Sequence, residues 1–277
     1  MKQILLITVG LLFGLSVNAQ TIINDKDYVS GVWKKSKSPY IIRGEAIVAE
    51  GKSLKIKPGV TVKFKPGEKR DYPDSEVGFL RVKGTLIAEG NEKKMITFTR
   101  EGEFGNWGVI QIDSRLKDSK LKYCKIEHSM FIRTIVAGDN ATGAVSVYDS
   151  YVEISNCLFI NNWVGVNCKK NADPLMKNNV LANNKYGLEC NSASSLTLLN
   201  CIVWNNKTAL YVNGESKLKI SYSLMNENPA KYGVADDGTN LIGLDPKFSS
   251  EQNGDYTLSS GSPCKGKGKN GVDIGVY

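Results

Sequence analysis

The apolar positions of this chain recur in short pieces, and over its second half they recur at a fixed spacing. Three segments fall into register: Ser-Asn-Cys-Leu-Phe-Ile-Asn-Asn (155–162), Lys-Asn-Asn-Val-Leu-Ala-Asn-Asn (177–184) and Leu-Asn-Cys-Ile-Val-Trp-Asn-Asn (199–206). A degraded fourth copy is Ser-Tyr-Ser-Leu-Met-Asn-Glu-Asn (221–228). Asn162, Asn184, Asn206 and Asn228 stand 22 residues apart, and so do Cys168, Cys190 and Val212. A constant period of this size is the signature of a solenoid. Each period holds three apolar pieces, in the middle copy Tyr186–Cys190, Leu196–Leu199 and Cys201–Trp204. None is long enough for a helix, and β-branched and aromatic residues are frequent, so the pieces read as strands. Three strands and three turns make one coil of a parallel β-helix, with each strand stacked roughly 4.8 Å from its copy in the next coil. The predicted inward columns are Val166/Leu188/Leu210, Cys168/Cys190/Val212, Met176/Leu198/Ile220 and Phe159/Leu181/Val203/Met225. Stacked in this way they form a core that no single coil could bury alone.

The repeated asparagines fit the turns. A sharp turn leaves backbone groups without ladder partners, and an Asn side chain can satisfy them and tolerates left-handed geometry. Stacked amides can also bond from coil to coil. A structural Asn ladder explains the period; an amide-lined ligand site is the alternative.

The earlier half is less regular but alternates with period two. Leu54/Ile56 and Val60/Val62/Phe64 point one way and Lys55, Lys57 and Lys63 the other, with a turn at Pro58-Gly59. The polar stretch 65–78 reads as an exposed loop. Leu-Lys-Tyr-Cys-Lys-Ile-Glu-His (121–128) is an earlier copy of the Asn-Cys segment. Cys124 to Cys157 spans 33 residues, one period plus 11, and the excess falls at about 129–141. Insertions in solenoids become loops on one face, often the binding face.

The Asn-Cys-x-x-x-Asn-Asn copies and Tyr-Gly-Leu-Glu-Cys (186–190) resemble the right-handed parallel β-helix repeat family, with its pectin-lyase-like fold. So do the entry at Val32-Trp33 and 38–42, the Trp-Gly strand at 105–112, and closing segments such as Gly243–Phe248 and Asp273–Tyr277. The resemblance implies an all-β, single-stranded right-handed parallel β-helix of about 22 residues per coil. The implied division is a lead-in and cap at 20–44, the helix proper at 45–228, and a C-terminal closing segment at 229–277.

Residues 1–19 read as a secretory signal: Lys2, the apolar run Ile4–Val17, and Val17-Asn18-Ala19 before Gln20. The run is too short to span a membrane and no Cys follows the cleavage site, so a secreted or periplasmic protein is expected. The formal net charge of +8 comes from scattered Lys residues. These suit a solvated surface or attraction to acidic glycans; there is no nucleic-acid module.

The chemistry is sparse. His128 is the one histidine, too few for a multi-His metal site, and no zinc motif occurs, so neither a metal nor a cofactor is expected. Five of the six cysteines fall in stacked columns, Cys124/Cys157/Cys201 and Cys168/Cys190, and Cys264 has no evident partner. Cys157 and Cys201 are two coils apart, roughly 9.6 Å, beyond bridging distance. Cys168 and Cys190 point alike, so reduced core thiols are expected. Polysaccharide hydrolases need two carboxylates, and lyases need a base with a positive group to neutralise the uronate. The motifs that carry these groups in the hydrolases of this fold do not occur here.

What remains is an outward column on the first strand of each coil: Gln111, Ser146, Asn167, Glu189 and Tyr211, flanked by Lys169 and Lys185, with Arg133 in the insertion. Read as a site, these residues would bind an extracellular or cell-surface polysaccharide; read otherwise, they are an ordinary polar sheet face. Glu189 with Lys185 is the single acid/base candidate, though one Glu and one Lys near each other are more often a surface ion pair. The third strand is apolar on both sides, with Leu158/Ile160, Val180/Ala182, Ile202/Trp204 and Leu224 outward. A stripe of this size needs a cover. The expected cover is 241–277, with Phe248, Tyr256, Leu258 and Ile274 as anchors. Three functions stay open: a non-catalytic exported polysaccharide-binding or surface-associated β-helix, a lyase or hydrolase of unrecognised type, and a structural or adhesive module.

Overall fold

The computed structural model describes residues 20–67, 77–115, 118–133 and 140–276. The expected leader at 1–19 and the centre of the polar loop at 65–78 lie outside the described residues. Successive strands step round three parallel sheets of seven, eight and ten strands. The first sheet runs from Glu45–Val48 through Phe79–Val82, Ile110–Ile112, Val145–Tyr148, Val164–Lys169 and Tyr186–Cys190 to Thr208–Val212. The second runs from Gly31–Trp33 to Lys217–Ser221, and the third from Thr21–Ile23 to Leu241–Ile242.

The register matches the 22-residue period. Val166, Leu188 and Leu210 pair in sequence, as do Cys168, Cys190 and Val212. Phe159, Leu181, Val203 and Met225 stack likewise, and so do Met176, Leu198 and Ile220. These columns fill the continuous core. In the early coils Trp107 stacks on Phe64 at 4.1 Å, and its indole N–H donates to the Glu127 carbonyl at 2.7 Å.

The helix extends beyond 45–228 at both ends. Thr21–Ile23 pairs with Tyr40–Ile42, Tyr28 bridges to Ile47, and Gly31–Trp33 pairs with Ser53–Ile56, so 21–33 is itself a coil. The pattern hides it because its strands are only three residues long, too short to show alternation. At the other end Leu241–Ile242 adds the last strand beside Leu224–Met225.

Each copy of the repeat divides its turn residues by task. Asn156, Asn178 and Asn200 (φ 52°, 53° and 54°) turn the chain into the third strand. Asn161, Asn183 and Asn205 (φ 57°, 58° and 50°) turn it out. Asn is among the few residues with a side chain that accept this left-handed backbone readily. His128, at φ 63°, occupies the outgoing position of the preceding coil. The next residue points inward and forms the ladder. Asn162 and Asn184 each accept the backbone N–H of the ladder residue one coil back (Ser129 and Asn162), and each donates its amide to a carbonyl there, Ile126 or Phe159. Asn206 does the same to the Asn184 N–H and the Leu181 carbonyl. Asn228 does not extend the ladder; it caps the short turn Pro229–Tyr232, accepting the Ala230 N–H at 2.8 Å.

A second ladder runs down the opposite corner. The Cys124 N–H is met by Cys157 Sγ, the Cys157 N–H by Asn179 Oδ1, the Cys201 N–H by Ser223 Oγ, and the Ser223 N–H by Asn240 Oδ1. Here sulfur, hydroxyl and amide are interchangeable acceptors. All six cysteines are buried free thiols.

The outer face of the third sheet is covered. Leu158, Ile160, Val180, Ala182, Ile202 and Leu224 pack with Tyr256, Cys264, Ile274 and Val276, with Phe248 and Leu258 at the margin. The C-terminal segment is therefore a strap along the stripe. Burying a Leu or Ile side chain contributes roughly 1.5–3 kcal/mol, so an uncovered stripe would be costly. Polar contacts fix its course. Asn183 donates to the Tyr256 hydroxyl at 3.0 Å and to Glu251 at 2.9 Å, and Asn200 accepts the Lys269 N–H at 2.8 Å. Gly275, at φ 98°, lies so close to Ile202 that a Cβ would stand 2.7 Å from its side chain.

Candidate functional site

The first sheet carries the outward column in register: Gln111 beside Ser146, Ser146 beside Asn167, Asn167 beside Glu189, and Glu189 beside Tyr211. Parallel strands place such side chains in a row at roughly 4.8 Å intervals. The row is not uniformly open. Gln111 is 8% exposed, Ser146 2% and Asn167 0%, whereas Tyr211 is 46% exposed.

The insertion packs beside this row. Ile132–Arg133 and Asn140–Ala141 form a small antiparallel pair. Its apolar side packs Ile132 and Ala141 on Val77 and Val109 at the outer face of the first sheet. The returning chain then passes over Asn167: a Cβ on Gly143 would stand 2.9 Å from the Asn167 Cβ. Gln111, Ser146 and Asn167, expected as ligand contacts, are buried. The accessible part of the column is Glu189 and Tyr211. Residues 134–139 and the Arg133 side chain lie outside the described residues.

The Glu189–Lys185 pair does not form. Glu189 Oε2 accepts from Asn167 Nδ2 at 2.7 Å and from the Thr142 hydroxyl at 2.9 Å. The Lys185 ammonium instead lies 3.2 Å from the centroid of the Trp163 ring, a cation–π contact, with Phe131 of the insertion 5.5 Å from the same ring. One turn of backbone sends the two side chains to different partners, which spacing alone could not show. Lys169 lies beside Tyr148 in register. Asn213 Nδ2 approaches the Tyr211 hydroxyl at 3.4 Å. Asn167 Oδ1 is buried without a partner among the described residues.

A charged group on the same sheet face escaped the sequence reading. Arg81, in the same column beside Gln111, contacts Asp113 Oδ2 at 3.1 Å through Nε and Glu45 Oε1 at 3.7 Å through a terminal nitrogen. Lys26 adds a contact to Glu45 at 3.8 Å. Asp113 Oδ1 is buried and has no partner among the described residues. The three come from coils of unequal length, so no fixed spacing announces them.

His128 lies at the corner of the third sheet. Its Nε2 is 3.9 Å from Glu127 Oε2, which also takes Lys125 at 2.8 Å. Burial, with Arg100 nearby, holds the imidazole below its ordinary pKa. Burial pushes the Cys190, Cys201 and Cys264 thiols up to about 11 and Cys124 and Cys168 well above the ordinary range, so these are packing groups, not nucleophiles. Among the described residues no group of three or more His, Cys, Asp or Glu could hold a metal ion, and no helix is long and apolar enough to cross a membrane.

A search of characterised proteins found no match to the chain. The family model described as a right-handed β-helix region matches residues 106–249, more than half of the chain. With three parallel sheets, a 22-residue period and stacked inward columns, the chain belongs to the right-handed β-helix family.

Proposed function

We propose that this chain is an exported β-helix protein that holds a polysaccharide without cleaving it, at the Glu189–Tyr211 end of the first sheet. One observation carries the reading. An exposed Tyr ring stands one strand away from a carboxylate that Asn167 and Thr142 hold in place. A ring of this kind can stack on a sugar face, and a fixed carboxylate can accept sugar hydroxyls. With Lys185 engaged on Trp163, Glu189 has no basic partner for acid/base work among the described residues. The export half of the proposal rests on residues 1–19. The test is a glycan-array screen followed by titration of Tyr211→Ala and Glu189→Gln. Each variant should lose roughly tenfold in affinity, about 1.4 kcal/mol, with the fold unchanged. Unaltered binding by both variants would overturn the assignment.

A cleaving enzyme is the second reading, and the Glu45–Arg81–Asp113 group favours it. Two carboxylates beside a guanidinium on a β-helix sheet face resemble the elements of glycosidic bond cleavage. The same group also serves as an ion-pair brace between coils. Incubating polysaccharides with the chain and with Asp113→Asn separates the two: products from the parent chain alone would establish cleavage.

A further inference from the structure

On the outer face of the second sheet, Thr85–Glu89, Lys120–Lys122 and Glu153–Ser155 lie side by side. The register sets Glu89 opposite Lys122 and Lys120 opposite Glu153. Opposite charges placed directly across a ladder usually close on each other. Neither pair closes within ion-pair distance among the described residues. The four side chains stand instead around a groove of about 140 Å³, completed by Ser155 and Leu121. Lys120, Lys122 and Glu89 are exposed and Glu153 is half-buried. The Lys122 ammonium also lies 5.7 Å from the Tyr123 ring centroid, at the long end of cation–π range. The packing of these coils rests on Leu121 and Ile154, which point into the core. The charged side chains are therefore dispensable for the fold.

The charge pattern selects the ligand. Lys120 and Lys122 project from one strand face, roughly 7 Å apart along the strand. A carboxylate stands across the ladder from each, on opposite flanks. Two cations and two anions leave the groove without net charge. A simple anion drawn to the lysines is repelled by the glutamates, and a simple cation meets the reverse. A ligand that carries both signs satisfies both. We propose that this groove binds a zwitterionic, amino-acid-type unit. Its carboxylate lies between Lys120 and Lys122, and its ammonium meets Glu89 or Glu153. The proposal is independent of the polysaccharide reading, which concerns a different sheet.

The experiment is a solution titration of the full chain, following backbone amides by NMR, with three probes of one length: 6-aminohexanoate, hexanoate and hexylamine. The zwitterion should give saturable shifts at residues 89, 120–122 and 153–155, binding roughly fivefold or more tightly than either singly charged probe. The amides of Glu189 and Tyr211 should stay still. Lys122→Gln and Glu153→Gln should each weaken the zwitterion by a similar factor while leaving the unfolding midpoint unchanged. Equal binding by hexanoate would reduce the groove to ordinary ion attraction and overturn the proposal. So would the absence of saturable shifts, or shifts that persist in a Lys120→Gln/Lys122→Gln double variant.

Discussion

Asn184 Oδ1 accepts the backbone N–H of Asn162 at 2.9 Å, and Asn184 Nδ2 donates both to the Phe159 carbonyl and to Asn206 Oδ1 at 2.9 Å. One side chain thus satisfies two main-chain groups of the neighbouring coil and touches the ladder residue of the next. Asn184→Ala leaves the Asn162 N–H without its acceptor and takes one of the two donors from the Phe159 carbonyl. A buried N–H left without a partner costs about 1–3 kcal/mol, and the expected loss is of that order or somewhat more, read from urea unfolding. A change below 0.5 kcal/mol (roughly the noise of ordinary surface substitutions) would show that the ladder is not stabilising.

His128 stands where Asn161, Asn183 and Asn205 stand in later coils. Its folded-state pKa is held below the ordinary value, so the folded chain binds fewer protons here than the unfolded chain. Stability from this group is present at neutral pH and is lost as pH falls below about 6.5 toward the folded-state value. His128→Asn keeps the left-handed turn and removes the titration. Denaturant midpoints at pH 7.5 and 5.5 should differ more in the parent than in the variant. Equal differences would locate the pH response in other groups.

The strap gives a third expectation. Truncation after Gly238 should expose Leu158, Val180, Ile202 and Leu224, and the shortened chain should bind a hydrophobic dye and aggregate. Gly275→Ala is a milder probe, since the added methyl meets Ile202 and the backbone there is left-handed. It should loosen the strap and speed proteolysis of the C-terminal segment while the coils remain folded. A truncated chain that stays soluble and dye-silent sinks this account of the strap.

The thiols give a fourth. With all six buried and the Cys190 and Cys201 thiols pushed up to about 11, iodoacetamide at pH 8 should leave the folded chain unlabelled by intact mass and label it fully once unfolded. Rapid labelling of the folded chain at Cys190 or Cys264 would contradict the packing.

The stacking was readable before the structure because it depends only on spacing. Once Phe159, Leu181 and Val203 share a period, their register follows. The apolar stripe was readable for a similar reason: Leu158, Val180 and Ile202 are apolar where a solvated strand would be polar, so some cover was required. The burial of Asn167 was not readable. It depends on the path of the insertion, and the 11 extra residues after Cys124 fix a place and a length but no direction. The Arg81 group was hidden because the early coils have unequal lengths, so Glu45, Arg81 and Asp113 share no period. The second ladder was half visible: its cysteines were read as core packing, but equating sulfur with the amide of Asn179 and the hydroxyl of Ser223 requires seeing which N–H each one meets.

The ladders have a direction, and it bears on how the chain assembles. In each of these rungs the corner N–H of one coil is met by a side chain of the coil after it: Ser129 by Asn162, Asn162 by Asn184, Asn184 by Asn206, Ser223 by Asn240. A coil's corner N–H groups therefore stay unprotected until the coil after it has been made. During synthesis the newest coil is always the loose one, and the apolar stripe waits for the strap. Shortening from the C-terminus removes the protection of the coil left behind, whereas shortening from the N-terminus leaves the remaining rungs intact. Hydrogen exchange at the Asn162 amide should accordingly quicken in a chain ended before Asn184 and stay slow in one begun after the first coil. Equal exchange in both would mean that the rungs do not set the order.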